Sequence, residues 1–206
     1  MIRNTSNTQC RIVDVGCGEK PLEEAVLPYC FSYTGIDIDG GFYKHKKPDI
    51  YGSAYDTTLP EASCDIVLSM QVFEHLKNPQ SAIKEISRIL KKDGNLIVSF
   101  PFSYPLHAAP YDYFRYTKFG FISMLEEAGF KVLEIREVSG IFMVFSTYLY
   151  NHFIFRGPFK VIGIMIAWFF YLFHALEGYL FYLKGSDVAN YRSQFVVNYI
   201  LKASKV

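Results

Sequence analysis

Along the first two thirds of the chain, short apolar runs alternate with turn-rich or charged stretches of helical period. Arg11–Val15 (RIVDV) is apolar enough to predict a buried strand, and it breaks at Gly16-Cys17-Gly18. Further strands are predicted over Ser32–Ile38, Cys64–Met70, Asn95–Phe100 and Lys131–Val138. Between them, Gln80–Lys92 repeats its isoleucines at helical spacing up to Asp93-Gly94, and Lys118–Ala128 predicts a second helix closed by Gly129. Thr117 is the expected N-cap of that helix. Strand and helix in alternation imply an α/β fold, a doubly wound, mostly parallel sheet covered on both faces.

From about Gly140 to Lys184 the pattern changes, and nearly every position is apolar or aromatic. Gln194–Ala203 then reads as a last strand, so the apolar stretch is an insertion before the sheet closes. This divides the chain into a ligand-binding domain, 1–139 plus 190–206, and an apolar aromatic helical insertion, 140–189. The uncharged run Val161–Leu176 has sixteen residues, short of the roughly 20 that a membrane span needs. Trp and Tyr near Arg156, Lys160 and Lys184 suit a headgroup zone. Three readings stay open: a helical pair dipping into one leaflet, a cap on the sheet or on a second copy, and a true span. The span requires a second crossing to bring the last strand back.

Composition sharpens this picture in two places. The chain has 206 residues with 21 Lys+Arg against 20 Asp+Glu, so no net field draws in nucleic acid. Aromatic residues make up 17%, with 19 Phe and 16 Tyr beside one Trp, more than a plain soluble enzyme carries. Four cysteines form no C-x-x-C pair and no Cys/His cluster of zinc spacing, so no metal is expected and reduced cytoplasmic thiols are. The opening residues do not have the basic and apolar regions of a secretory signal.

Candidate chemistry begins at the turn after the first strand. Glycines there let a ligand approach the backbone and are expected to aim N–H groups at it. Pro21 stands where a dinucleotide fingerprint wants its third glycine, which disfavours a nicotinamide-dependent oxidoreductase. About twenty residues on, Gly35-Ile36-Asp37-Ile38 ends the second strand, and a carboxylate at that place can accept hydrogen bonds from a ribose diol. The pair points to an adenosine-type ligand.

With these elements the chain resembles the class I S-adenosylmethionine-dependent methyltransferases of the type 11 kind. The resemblance rests on Val13-Asp14-Val15-Gly16-Cys17-Gly18, Gly35-Ile36-Asp37, Cys64-Asp65-Ile66-Val67-Leu68-Ser69, Glu74-His75-Leu76 and Leu90-Lys91-Lys92-Asp93-Gly94-Asn95-Leu96, in the family's order. It implies a Rossmann-like fold with a final antiparallel strand, S-adenosyl-L-methionine as cofactor, and methyl transfer as the reaction. Asp14, Gly16 and Gly18 would hold the methionine part, with Cys17 a small residue of the turn. Asp37, with Ile38 beside it, would bind the ribose, and Gln71 would border the reactive end. The family's G-D-A…L-P pattern is altered to Gly52-Ser53-Ala54-Tyr55-Asp56-Thr57-Thr58-Leu59-Pro60, which displaces the adenine-contacting acid to Asp56.

The stretch His107-x-x-Pro110-x-Asp112-x-x-Arg115-Tyr116-Thr117 resembles methyltransferases encoded with bacterial surface-polysaccharide genes. It nominates His107 as general base, with Asp112 and Arg115 orienting it or binding the acceptor. The competing reading makes Asp112 and Arg115 a structural ion pair. His75 reads as a site wall. The expected acceptor is small or amphiphilic, a saccharide or lipid-linked hydroxyl. The expected location is cytoplasmic, peripheral or monotopic at the inner face of the plasma membrane, with a homodimer in prospect. The rival to an enzyme is a membrane-associated binding module that keeps the fold.

Overall fold

The computed structural model describes residues 10–40, 44–153, 159–184 and 195–206. Among the described residues seven strands form one sheet: β1 (Arg11–Val15), β2 (Ser32–Asp37), β3 (Ile50–Tyr51), β4 (Cys64–Met70), β5 (Leu90–Pro101), β6 (Phe130–Ser139) and β7 (Val196–Lys205). Their order is β3-β2-β1-β4-β5-β7-β6. β1 pairs in parallel with β2 and β4, as do β2 with β3 and β4 with β5. The last strand runs against its neighbours. At one end the Phe102 amide donates to the Val197 carbonyl, and at the other Lys205 Nζ donates to the Leu90 carbonyl. This is the Rossmann-like α/β arrangement with a final antiparallel strand.

Central strands are apolar without alternation because both faces are covered. Ile12, Val13, Val15, Ile66, Val67, Leu68, Leu96 and Val98 are all buried. The helices that follow strands are α1 (Glu23–Val26), α2 (Pro79–Ile89) and α3 (Lys118–Glu127). Asn78 caps α2 by accepting from the Ser81 amide, and Thr117 caps α3 by accepting from the Gly120 amide. α2 buries Ala82, Ile83, Ile86 and Ile89, the face its periodicity predicts. Phe100 stacks on Phe121 with centroids 4.1 Å apart, and Phe73 meets Phe121 edge-on.

Two expectations need correction here. Helix α2 stops at Ile89 rather than Lys92, because Leu90 already pairs with Cys64 and the chain turns extended. The register shifts between Cys64 and Ile66, so five residues of β5 span what two of β4 span. The short strand β3 was not foreseen, since two residues carry no periodicity. The last strand is placed two residues later than expected, and Gln194 lies outside the described residues.

The chain separates into two compact units. One comprises Met1–Phe100, Tyr116–Ile135 and Ile200–Val206, and the other Pro101–Arg115 and Arg136–Tyr199. Within the second, α4 (Ile141–Phe153) and α5 (Lys160–Lys184) pack on each other, and Ser146 Oγ donates to the Ala167 carbonyl at 2.8 Å. Among the described residues no helix is long and apolar enough to cross a membrane. All four cysteines are free thiols.

Candidate active site

The bend after β1 is built by pairing with β2. The Gly16 and Cys17 amides both donate to the Ile36 carbonyl, at 2.8 and 3.1 Å. The Gly18 amide donates to Asp37 Oδ2 at 2.7 Å, and the Ile38 amide to Asp37 Oδ1 at 2.7 Å. This corrects the expectation of N–H groups aimed at a ligand. The parallel register sets the Ile36 carbonyl and the Asp37 carboxylate against the bend, and these amides are used inside the protein.

Glycine is required at two places for different reasons. Gly16 has φ +77°, and a Cβ there would run into the Val72 isopropyl group. Gly35 lies beneath Cys17 Sγ and Lys20 Cδ, each 2.8 Å from where its Cβ would be, so the bend rests directly on β2. At Gly18, with φ +52°, a Cβ would meet nothing within 4 Å. The bend is therefore tightly packed on one side and open at its tip, which suits a ligand with a flat, close-lying portion.

Asp14 is 2% exposed and accepts from the Tyr33 hydroxyl at 2.5 Å. Burial raises its pKa to about 6, the Tyr33 hydrogen bond opposes the rise, and the Asp37 charge adds to it. The same burial and the Asp14 charge push the Tyr33 phenol up. Burial, with the charges of Asp14 and Asp37, lifts the Cys17 thiol to about 12, so it is no thiolate nucleophile at neutral pH. Asp49 closes the outer edge of β2. Its amide donates to the Gly35 carbonyl, its Oδ2 accepts from the Gly35 amide, and its Oδ1 pairs with Lys20 Nζ at 2.8 Å.

Asp56 is exposed in a tight turn, its Oδ1 accepting from the Thr58 amide at 3.1 Å. That turn is pinned by Thr57, whose amide and hydroxyl both donate to Glu85. Burial opposes ionisation of Glu85, yet hydrogen bonds from Arg88 and Thr57 bring its pKa down to about 2. Gln71 follows β4 with φ +57°, a conformation non-glycine residues rarely hold outside functional or tightly determined positions. Its amide donates to the Ser99 carbonyl and its Nε2 to Ser99 Oγ, both at 3.0 Å. His75 Nε2 lies 3.7 Å from the buried Glu74 carboxylate in the short 3-10 turn Phe73–His75.

In the second unit, the sequence-nominated trio comes together. Arg115 donates from Nη1 and Nη2 to the two Asp112 oxygens at 2.5 and 2.7 Å, a bidentate pair. It also donates to the carbonyls of Tyr104, Pro105 and Phe114. The Asp112 side chain is 1% exposed, and the Arg115 pair holds its pKa down to about 2 against the cost of burial. The His107 amide donates to Asp112 Oδ2 at 2.9 Å, and His107 Nδ1 is 3.2 Å from the same oxygen. Asp112 and Arg115 thus shape the loop and position His107.

Several participants carried no sequence signal. Tyr33, Ser99, Val72 and Asp49 act through tertiary contacts with residues 14 to 56 positions away. Only the bare Gly35 hinted at something packed above it.

Residues 13–98 match a family model described as a methyltransferase domain. A protein of Mycolicibacterium smegmatis named "Probable S-adenosylmethionine-dependent methyltransferase" is 29% identical over 144 residues, 64% of this chain and 54% of that protein. The ubiquinone biosynthesis O-methyltransferase of Haemophilus ducreyi is 30% identical over 107 residues, 43% of this chain and 44% of that protein. The chain thus spans about half the length of these curated relatives. Among solved structures, the [4+2]-cyclase SpnF is similar with a TM-score of 0.61 and 20% identity, covering 99% of this chain and 79% of that one. YcgJ of Bacillus subtilis gives 0.56 and 18%, covering 99% and 93%. Likeness at that level shows the fold alone, and a cyclase among the neighbours illustrates why the reaction must be argued from the site. Over residues 13–98 the chain is thus similar to a methyltransferase domain, and the S-adenosylmethionine-dependent names among its relatives support S-adenosylmethionine as its cofactor.

Proposed function

We propose that this chain transfers a methyl group to a small or amphiphilic acceptor, a saccharide or lipid-linked hydroxyl, at the cytoplasmic face of a membrane. The observation that carries the reading is the joint between the glycine bend and the Asp37 carboxylate. Each Asp37 oxygen already accepts one backbone N–H and keeps lone pairs for a ribose diol. The buried Asp14 carboxylate next to the bend adds negative potential that suits the ammonium of a methionine portion. The space at Gly18 accommodates close approach, and Gln71, fixed by Ser99, borders the site. Cofactor contacts of Ile38 and Asp56 belong to the same proposal, with Asp56 held ready by its turn.

When bound, S-adenosylmethionine supplies an electrophilic methyl on a sulfonium. The chain's residues then have two tasks, alignment of the acceptor and removal of its proton. With Nδ1 turned to Asp112, the His107 tautomer protonated at Nδ1 leaves Nε2 as the base. Arg115 acts through Asp112, as a positioning residue. The O-methyltransferase names among the relatives favour an oxygen acceptor.

Exposed apolar side chains on α5, among them Val161, Met165, Phe169 and Leu172, support contact with a lipid surface or a second copy of the chain. Calorimetry with S-adenosylhomocysteine tests the core of the proposal. Binding that Asp37→Ala abolishes is expected, and no binding at millimolar ligand to folded protein overturns it. Incorporation of labelled methyl into a membrane extract, lost in His107→Ala that still binds cofactor, separates an enzyme from a binding module.

A further inference from the structure

The second unit carries an open cavity of about 400 Å³, within the range of small-molecule sites. Its walls are unlike an ordinary helix-packing gap. Tyr104, Tyr150, Trp168 and Tyr171 give it aromatic faces, and Thr147 and Asn151 add polar groups. Among the described residues no charged side chain lines it. Tyr104 Oη donates to Asn151 Oδ1 across 3.3 Å, a long bond that a ligand hydroxyl can replace on either side. Thr147 Oγ1 is used within its own helix, on the Met143 carbonyl, and the Asn151 amide nitrogen donates to the Thr147 carbonyl. Among the described residues the cavity's polar groups are neutral, with the Tyr104–Asn151 pair at one end and the hydroxyls of Tyr150 and Tyr171 and the indole N–H of Trp168 carried by its aromatic walls.

Aromatic walls of this kind receive a flat ring, whether the π-face of a phenol or the C–H face of a sugar. Among the described lining residues no cation compensates a carboxylate or phosphate for its lost hydration, which favours a neutral ligand. Trp168 is 61% exposed and Tyr171 46% exposed, so both stand at the mouth. The same helix continues outward as the uncharged apolar surface of Met165, Phe169 and Leu172, where an alkyl tail can lie.

We propose that this cavity binds a neutral, hydroxylated ring carried on an apolar tail, the ring between Tyr150, Trp168 and Tyr171 and its hydroxyl at Tyr104 and Asn151. Identifying that ring as the methyl acceptor rests on the transfer reading above, whereas its binding does not.

Trp168 is the only tryptophan in the chain, so its emission reports the cavity without a label. Folded chain is titrated, without cofactor, with 4-hexylphenol, hexyl β-glucoside and 1-hexanol. A saturable change with a ring compound is expected, with no matching response to 1-hexanol, and the preferred ring distinguishes a phenolic from a saccharide ligand. Thr147→Phe, which fills the cavity, should weaken binding about tenfold or more. Tyr171→Ala, at an exposed position that folding tolerates, should also weaken it. The proposal is overturned by no saturable response to either ring, by an equal response to 1-hexanol, or by folded Thr147→Phe or Tyr171→Ala binding as the parent does. S-adenosylhomocysteine calorimetry on the same preparation reads the transfer proposal separately, so either can fail alone.

Discussion

The Gly18 amide and Asp37 Oδ2 meet at 2.7 Å across nineteen positions of sequence. The two halves of the proposed nucleoside site are thereby one hydrogen-bonded unit. Preorganisation of this kind lowers the ordering cost of binding.

Asp37→Asn keeps the size, removes the charge and sets an amide NH2 against one of the two backbone N–H donors, Gly18 or Ile38. Charge-assisted hydrogen bonds contribute about 1.5–3 kcal/mol, so S-adenosylhomocysteine should bind roughly ten- to hundredfold more weakly. Calorimetry reads the loss, and a modest fall in melting temperature from the lost Gly18 or Ile38 bond is expected beside it.

Gly16→Ala should destabilise the chain by about 1–3 kcal/mol, from the left-handed backbone and from the methyl driven into Val72. Adding Val72→Ala should return part of that loss, the steric part, and leave the backbone part. A double-mutant cycle from urea unfolding measures the coupling.

Asp14 makes the site costly to the fold. Its pKa near 6 lies above the ordinary value of about 3.9, so the folded state holds an extra proton between them. Stability on this account falls as pH rises from about 4 to about 6 and stays lowered above. Asp14→Asn, which retains an acceptor for Tyr33, should be more stable at pH 7 by up to roughly 3 kcal/mol and show little gain at pH 4. It should also bind cofactor less well, the exchange expected of a strained functional group.

Asp112 has the opposite sign. Its pKa is held down to about 2 by Arg115, so its contribution is whole above about pH 4 and is lost as pH falls towards 2. Asp112→Asn should unfold more easily at pH 7, with the difference from the parent shrinking through that acid window. If His107 is the base, the same variant should also move the pH–rate profile, a shift that lost loop stability alone does not produce.

Much of the frame was legible because its periodicities are strong. The apolar core Ile66-Val67-Leu68 of β4 and the isoleucine spacing of α2 each point to the element found. Where the helix ended was not, since Leu90–Lys92 continue a helical pattern that only pairing with Cys64 interrupts. The glycine bend and Asp37 were visible as a pair, yet the direction of the amides was not. That direction follows from the register Val15↔Ile36, a tertiary fact. Likewise the sequence left Asp112 and Arg115 between two roles, and the bidentate geometry with three further carbonyls favours loop construction.

That loop carries a practical corollary. Every acceptor just named for the Arg115 guanidinium lies between Tyr104 and Phe114. A segment that supplies its own internal scaffolding travels as a cassette. Grafted onto a related parallel-sheet host, these dozen residues carry the Arg115 anchor with them, and the Tyr104 hydroxyl needs a replacement there for its Asn151 partner.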